Sequence, residues 1–202
     1  MIDKTLKFLQ ERIKAQFVSH AVTNAPEVIL SALPKDPDSN PDDKIYITFL
    51  NMEEEKVLKN LATYQPLPSD PTKIGLMNPE IRLNLYVLIT AQFSPARYET
   101  ALRYISQIIS FFQGQYVFEE SDFALASSTS PTGTDFSGFE KLIVELFSPS
   151  FDQNNQIWPT LGSKLVPFAL YKVRLVALTD KDAAPVSTTA EVQGIDFNLH
   201  RK

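Results

Sequence analysis

The chain is 202 residues long and carries 19 Lys and Arg against 24 Asp and Glu, a net charge of −5. That length suits one sizeable domain or at most two small ones, and 44% apolar residues supply material for a normal core. The absence of cysteine excludes disulfide scaffolds, thiolate metal sites and a cysteine nucleophile, while the acidic balance argues against a general nucleic-acid binder.

Residues 2–17 read as an amphipathic helix, with Ile2, Leu6, Leu9, Ile13 and Phe17 on one stripe and Lys4, Lys7, Glu11, Arg12 and Lys14 elsewhere. The expected partner of the stripe is a sheet. Met1-Ile2-Asp3-Lys4 lacks the charge-then-apolar layout of a signal peptide. No stretch reaches the roughly 18 apolar residues of a membrane helix, so direct membrane insertion is not expected. Residues 28–33 read as a strand. Residues 34–43 hold three prolines and four aspartates, a solvated loop without the Gly and Glu of a calcium loop.

Ile45, Tyr46, Ile47, Thr48, Phe49 and Leu50 form a β-branched and aromatic run, a good strand. Glu53, Glu54 and Glu55 follow, and three like charges in a row predict a solvated turn or a helix start. Pro66, Pro68, Pro71 and Gly75 mark residues 65–78 as a loop. Residues 81–90 alternate as a strand whose second face becomes apolar after Asn84.

Ser94 and Pro95 predict the start of the clearest helix, with Tyr98, Leu102, Ile105, Ile108, Ile109 and Phe112 as its stripe and Gly114 as its end. Short strands are expected at 116–118, 123–126 and 140–147, with a flexible polar tip over 127–134. Residues 152–162 read as a short helix, 168–178 as a long strand and 191–199 as a weak strand pattern. Helices and strands mix without a βαβ rhythm, which favours α+β over a doubly wound sheet.

Chemistry is poorly signposted. The two histidines, His20 and His200, have no partner at ligand spacing. No GxSxG, Walker A or GxGxxG motif occurs, and six glycines supply few phosphate-cradling loops. Glu53, Glu54 and Asp122 offer carboxylates for acid–base work, but carboxylates are common and this carries no specificity. The aromatic side chains of Tyr98, Tyr104, Phe111 and Phe112, and Trp158, suit either core packing or a groove. Lys172 and Arg174 alternate with Tyr171 and Val173, which makes a basic strip on one sheet face together with Lys164.

Several segments in fixed order resemble one family. They include Asn51-Met52-Glu53-Glu54-Glu55-Lys56-Val57-Leu58-Lys59-Asn60, Leu83-Asn84-Leu85-Tyr86-Val87-Leu88, Tyr98-Glu99-Thr100-Ala101-Leu102-Arg103-Tyr104, Ile157-Trp158-Pro159-Thr160-Leu161-Gly162 and Tyr171-Lys172-Val173-Arg174. The set resembles the N-terminal domain of the cap, or tail-terminator, proteins of phage-tail-like contractile injection systems of the antifeeding-prophage type. Where Lys56 or Lys59 stands the family pattern usually has arginine, and lysine keeps the charge without the bidentate fork.

The resemblance implies a tail-terminator-like α+β fold over residues 1–178: a mixed, mostly antiparallel sheet packed by the N-terminal helix and a long central helix. Residues 179–202 then form a tail or arm. It implies a non-enzymatic structural protein without a cofactor, a ring-forming homo-oligomer of six copies. Its expected partners are the inner tube protein, the sheath protein and a tape-measure protein, with no nucleic acid. Assembly is expected in the bacterial cytoplasm, on a particle later released or membrane-anchored. Glu53, Glu54, Glu55, Lys56, Lys59, Trp158, Lys172 and Arg174 are the candidate contacts to neighbouring subunits, tube or sheath. The competing readings are a small carboxylate-based hydrolase and a monomeric adaptor.

Overall fold

A computed structural model of the chain describes residues 2–19, 25–33, 43–55, 64–67, 70–76, 82–130, 133–136, 139 and 141–176. Helices α1 (Ile2–Ser19), α2 (Tyr98–Gly114), α3 (Glu120–Thr129) and α4 (Phe151–Leu161) accompany eight strands. These are β1 (Val28–Leu30), β2 (Lys44–Glu54), β3 (Tyr64–Leu67), β4 (Asp70–Leu76), β5 (Leu83–Gln92), β6 (Val117–Glu119), β7 (Lys141–Phe147) and β8 (Phe168–Val176). Six of them form one sheet in the order β1-β2-β5-β8-β7-β6. Only β1 and β2 run parallel, so the α+β class and the mostly antiparallel sheet agree with the sequence.

The larger of two compact units comprises Met1–Glu55 and Ile81–Leu178. Its core fills the helix-bearing face of the sheet. Leu6, Phe8, Leu9, Ile13 and Phe17 of α1 meet Ile45, Ile47, Val87, Ile89 and Phe112 there. Phe8 is fully buried against the rings of Phe118, Phe123 and Phe136 at 5.2, 4.8 and 5.6 Å. Arg12 sits over the Phe118 ring and donates from Nη2 to the side chain of Gln115 at 2.9 Å, which fastens α1 to the end of α2.

The opposite face carries a smaller cluster in which Trp158 of α4 packs with Leu33, Tyr46, Leu88 and Leu170. α4 starts at Ser150, whose hydroxyl accepts from the Gln153 amide at 3.2 Å while Gln153 Oε1 accepts from the Ser150 amide at 2.8 Å. This reciprocal cap satisfies donors that a helix start otherwise leaves open. The helix ends at Gly162, at φ 65° and ψ 25°, a conformation that a side chain disfavours.

Several expectations change. Glu53 and Glu54 are not in a turn: β2 runs on through Glu54, because its backbone finds ladder partners in β5 as far as Leu83. Residues 65–78 are not all loop: β3 and β4 pair as a two-stranded sheet, described by itself. Pro66 and Pro71 fit there because, among the described residues, each strand has a partner on one side only, so a missing donor is tolerated. Residues 123–126 are helical, because Glu119 and Asp122 form a reciprocal cap and Phe123 and Ala126, three apart, share a buried face. That helix takes in Ser127–Thr129 of the expected flexible tip, and the Ser127 hydroxyl accepts from the Phe136 amide at 2.9 Å.

The α2 stripe is rotated. Ala101, Tyr104, Ile105, Ile108 and Phe112 are buried, while Tyr98 and Leu102 are exposed. A 3-10 turn over Pro95–Arg97 precedes the helix, and the Ser94 hydroxyl caps nothing. The Ser94 amide instead donates to Asp43 Oδ1 at 2.8 Å, and Arg97 pairs with Asp43 Oδ2 at 2.7 Å. His20, Lys56, Lys59, His200, the 178/179 boundary and the 191–199 pattern lie outside the described residues.

Candidate interaction surface

The sheet face opposite α1 and α2 divides in two. α4 covers one half. The other half is polar and open, and its side chains follow from strand alternation and register. On β5, Val87 and Leu85 point into the main core, so Asn84 and Tyr86 point away from it. Lys172 stands opposite Tyr86 and Arg174 opposite Asn84 on β8, while Glu145 of β7 stands opposite Lys172. On β2 an extra residue between Phe49 and Asn51 places Asn51 opposite Tyr86 and Glu53 opposite Asn84.

These groups are tied together within the chain. The Tyr86 hydroxyl donates to Glu53 Oε2 at 3.0 Å. Asn84 Nδ2 donates to Glu55 Oε2 at 3.0 Å. Arg174 pairs through Nη2 with Glu145 Oε1. Lys172 sits between Tyr86 and Glu145 in the register and has no hydrogen-bond or ion-pair partner among the described residues. The Arg174 Nε and the Asn84 Oδ1 are buried without partners among them. Among the described residues the patch thus has one unpaired cation and two buried unpaired polar atoms, which water or a polar partner can satisfy.

The structure brings together Glu53, Glu55, Lys172 and Arg174 on this face. Glu54 lies apart, because it stands opposite Leu83 and alternation turns it to the helix-bearing side of β2. Trp158, also a candidate contact, lies on the half of the face that α4 covers. It is 7% exposed, its ring meets Phe168 at 5.3 Å, and it holds α4 on the sheet. Its spacing in α4 with Leu161, which packs against the same cluster, was the signal for a packing role. Sequence reading missed Asn84, Tyr86 and Glu145. The alternation that placed Lys172 and Arg174 on one face also selects them, once the strand order is known.

Burial, followed by the bond to Glu53 and its charge, raises the Tyr86 phenol above the ordinary tyrosine value. On the other face burial raises Tyr171 further, and its hydroxyl has no partner among the described residues. The folded state therefore holds phenol protons that an unfolded chain releases near pH 10. Their contribution to stability is complete below about pH 10 and is lost as pH rises above it. Urea midpoints between pH 8 and 11 are expected to fall in the wild type. Tyr171→Phe is expected to flatten that fall, and an unchanged slope in the variant would remove Tyr171 from the account.

Of the aromatic residues on α2, Tyr104 and Phe112 are core, and Phe111 lines a groove of about 390 Å³ with Phe17 and Arg103. Among the described residues no group of three or more His, Asp or Glu is placed to hold a metal ion, and no helix is long and apolar enough to cross a membrane.

A sequence profile described as the Pvc16 N-terminal domain matches residues 2–189. The chain belongs to the Pvc16 N-terminal domain family. Two solved structures share the Pvc16-type fold seen here. One is the sheath/tube terminator of an extracellular contractile injection system, PVC, in its extended state. It is 14% identical with a TM-score of 0.65, over 100% of this chain and 64% of that one. The other is the tube-terminating cap of the anti-feeding prophage, 14% identical with a TM-score of 0.59, over 92% of this chain and 58% of that one. This Pvc16-family chain therefore spans less than two thirds of either terminator. No curated protein matches it. The tail-terminator-like fold expected from the sequence agrees with these structures.

Proposed function

We propose that the chain is a structural cap of a contractile injection system. It forms a ring at the end distal from the baseplate, ends the inner tube and holds the end of the extended sheath. The family match over residues 2–189 carries this reading, and the fold shared with two terminators supports it. In this reading the chain acts by shape and contact, without catalysis. It touches its own copies, the tube protein, the sheath protein and a tape-measure protein, and it joins the particle in the bacterial cytoplasm.

A ring of identical copies needs a patch on one subunit that fits a different patch on the next. β1 covers β2 only at Ile45–Ile47, which leaves the acidic end of β2 at an open sheet edge among the described residues. Glu54 at that edge and the unpartnered Lys172 on the open face are the proposed pair across the subunit boundary. Arg174 remains with Glu145, and Lys56 and Lys59 extend the same acidic segment with positive charge.

Electron microscopy of particles from cells with and without the gene tests the function. Tubes of uncontrolled length, or sheaths contracted or missing, are expected in the deletion. Full-length, capped and extended particles there would end the reading. For the ring contact, Glu54→Lys and Lys172→Glu are each expected to lower the oligomer fraction in sedimentation velocity. The double swap is expected to recover part of it, because complementary charge is restored. Single reversals that assemble like the wild type would remove this pair.

A further inference from the structure

On the helix-bearing side, a groove of about 530 Å³ lies between α2 and β7. Ile109, Phe112, Val144 and Leu146 make it apolar. Gln113, Tyr116, Glu145 and Tyr171 also line it, and Tyr171 is the buried one of these: the residue is 2% exposed and its oxygen has no hydrogen-bond partner among the described residues. A buried hydroxyl left open beside apolar walls marks a place for an acceptor.

The groove borders an open sheet edge. β6 pairs with β7 only from Lys141 to Ile143, and the Val144 amide then donates to the Tyr116 carbonyl at 2.8 Å. Antiparallel alternation directs the Leu146 N–H and C=O to that same side, where no described strand follows. Leu146 is 52% exposed. An apolar groove beside free backbone groups takes an extended segment whose alternate side chains face one way.

The chain contains such a segment. Residues 193–199 place Gln193, Ile195, Phe197 and Leu199 at alternate positions, with Gly194, Asp196 and Asn198 between them. One face therefore has three apolar side chains for the Ile109, Phe112, Val144 and Leu146 walls and one amide for the buried, unpaired Tyr171 hydroxyl. Sixteen residues separate this segment from Val176, the last residue of β8, a reach of up to about 50 Å. The segment lies beyond the residues the family profile matches.

We infer that residues 193–199 of a second copy add as a strand to the open edge of β7 and seat Ile195, Phe197 and Leu199 in the groove between α2 and β7. This rests on the ring reading, in which one copy carries a segment to a different patch on the next. Gln193 supplies the acceptor for Tyr171.

The absence of cysteine makes the test clean. Full-length chains with Leu146→Cys are mixed with differently tagged chains carrying one cysteine at position 195, 196, 197, 198 or 199, then oxidised. Hetero-linked dimers are expected from Ile195→Cys, Phe197→Cys or Leu199→Cys and not from Asp196→Cys or Asn198→Cys, because a disulfide needs close, facing Cβ atoms. Wild-type sedimentation runs alongside. An oligomer without these links overturns the inference and leaves the ring standing, whereas a monomer without them overturns both. Links formed only within a doubly substituted chain place the segment on its own groove and overturn the second copy.

Discussion

Phe8→Ala is expected to destabilise the protein by about 3–5 kcal/mol, the range for truncating a buried aromatic ring. Phe8 comes from the first helix, yet its neighbours Phe118, Phe123 and Phe136 come from β6, α3 and the segment after it. Removing the ring deletes three aromatic contacts at once and leaves a cavity among side chains fixed by three different elements, which collapse poorly around it. Phe8→Leu keeps most of the volume and is expected to cost about half as much. The single tryptophan, Trp158, lies on the other side of the sheet and offers a fluorescence readout. A urea transition that moves for Trp158 as far as for far-UV circular dichroism would show that the two faces unfold together. A loss below about 1 kcal/mol would show that this aromatic cluster is not part of the working core.

Trp158→Ala is expected to cost about 3 kcal/mol, at the lower end of the range for a large ring. Two terms oppose each other. The indole fills the space between α4 and β8 and meets Phe168 edge to face. Its buried N–H has no partner among the described residues, and removing an orphaned donor returns part of the loss. Trp158→Phe separates the terms: it keeps an apolar ring and deletes the donor, so its cost is expected to stay near 1 kcal/mol. Equal losses for the two variants in chemical denaturation would mean that the N–H has a partner in solution. Because α4 covers only half of its face, Trp158→Ala is also expected to loosen α4 before the sheet, read as faster amide exchange in Phe151–Leu161.

How far the sequence reaches is clearest where one signal acts alone. α1, β5, β8 and α4 were legible because each has a repeated apolar spacing, and α4 has a glycine at its end. Glu53 and Glu54 misled because charge was read as local structure, whereas a ladder with β5 decided it. Residues 123–126 misled because four residues cannot display a helical period, and the deciding cap lies just before them at Glu119 and Asp122. On α2 the buried stripe keeps Ile105, Ile108 and Phe112 but takes Ala101 and Tyr104 in place of Tyr98 and Leu102, since several apolar residues compete and the sheet selects among them. For the interaction surface, alternation placed Lys172 and Arg174 correctly on one face. It did not reveal that Glu145 occupies Arg174 or that Tyr86 holds Glu53, because those partners lie on other strands.

The extra residue in β2 works as a phase shift. Before it, odd-numbered residues such as Ile45 and Ile47 face the helices, and after it the odd-numbered Asn51 and Glu53 face away. One residue thus resets which half of an alternating text is read by the core and which by the outside. Were Leu50 drawn into the ladder opposite Tyr86, Glu53 would slip to a place opposite Leu83 and turn toward the helices. A slip of a single residue would then act on the charge pattern of the far face as strongly as several point substitutions, without altering one acidic residue.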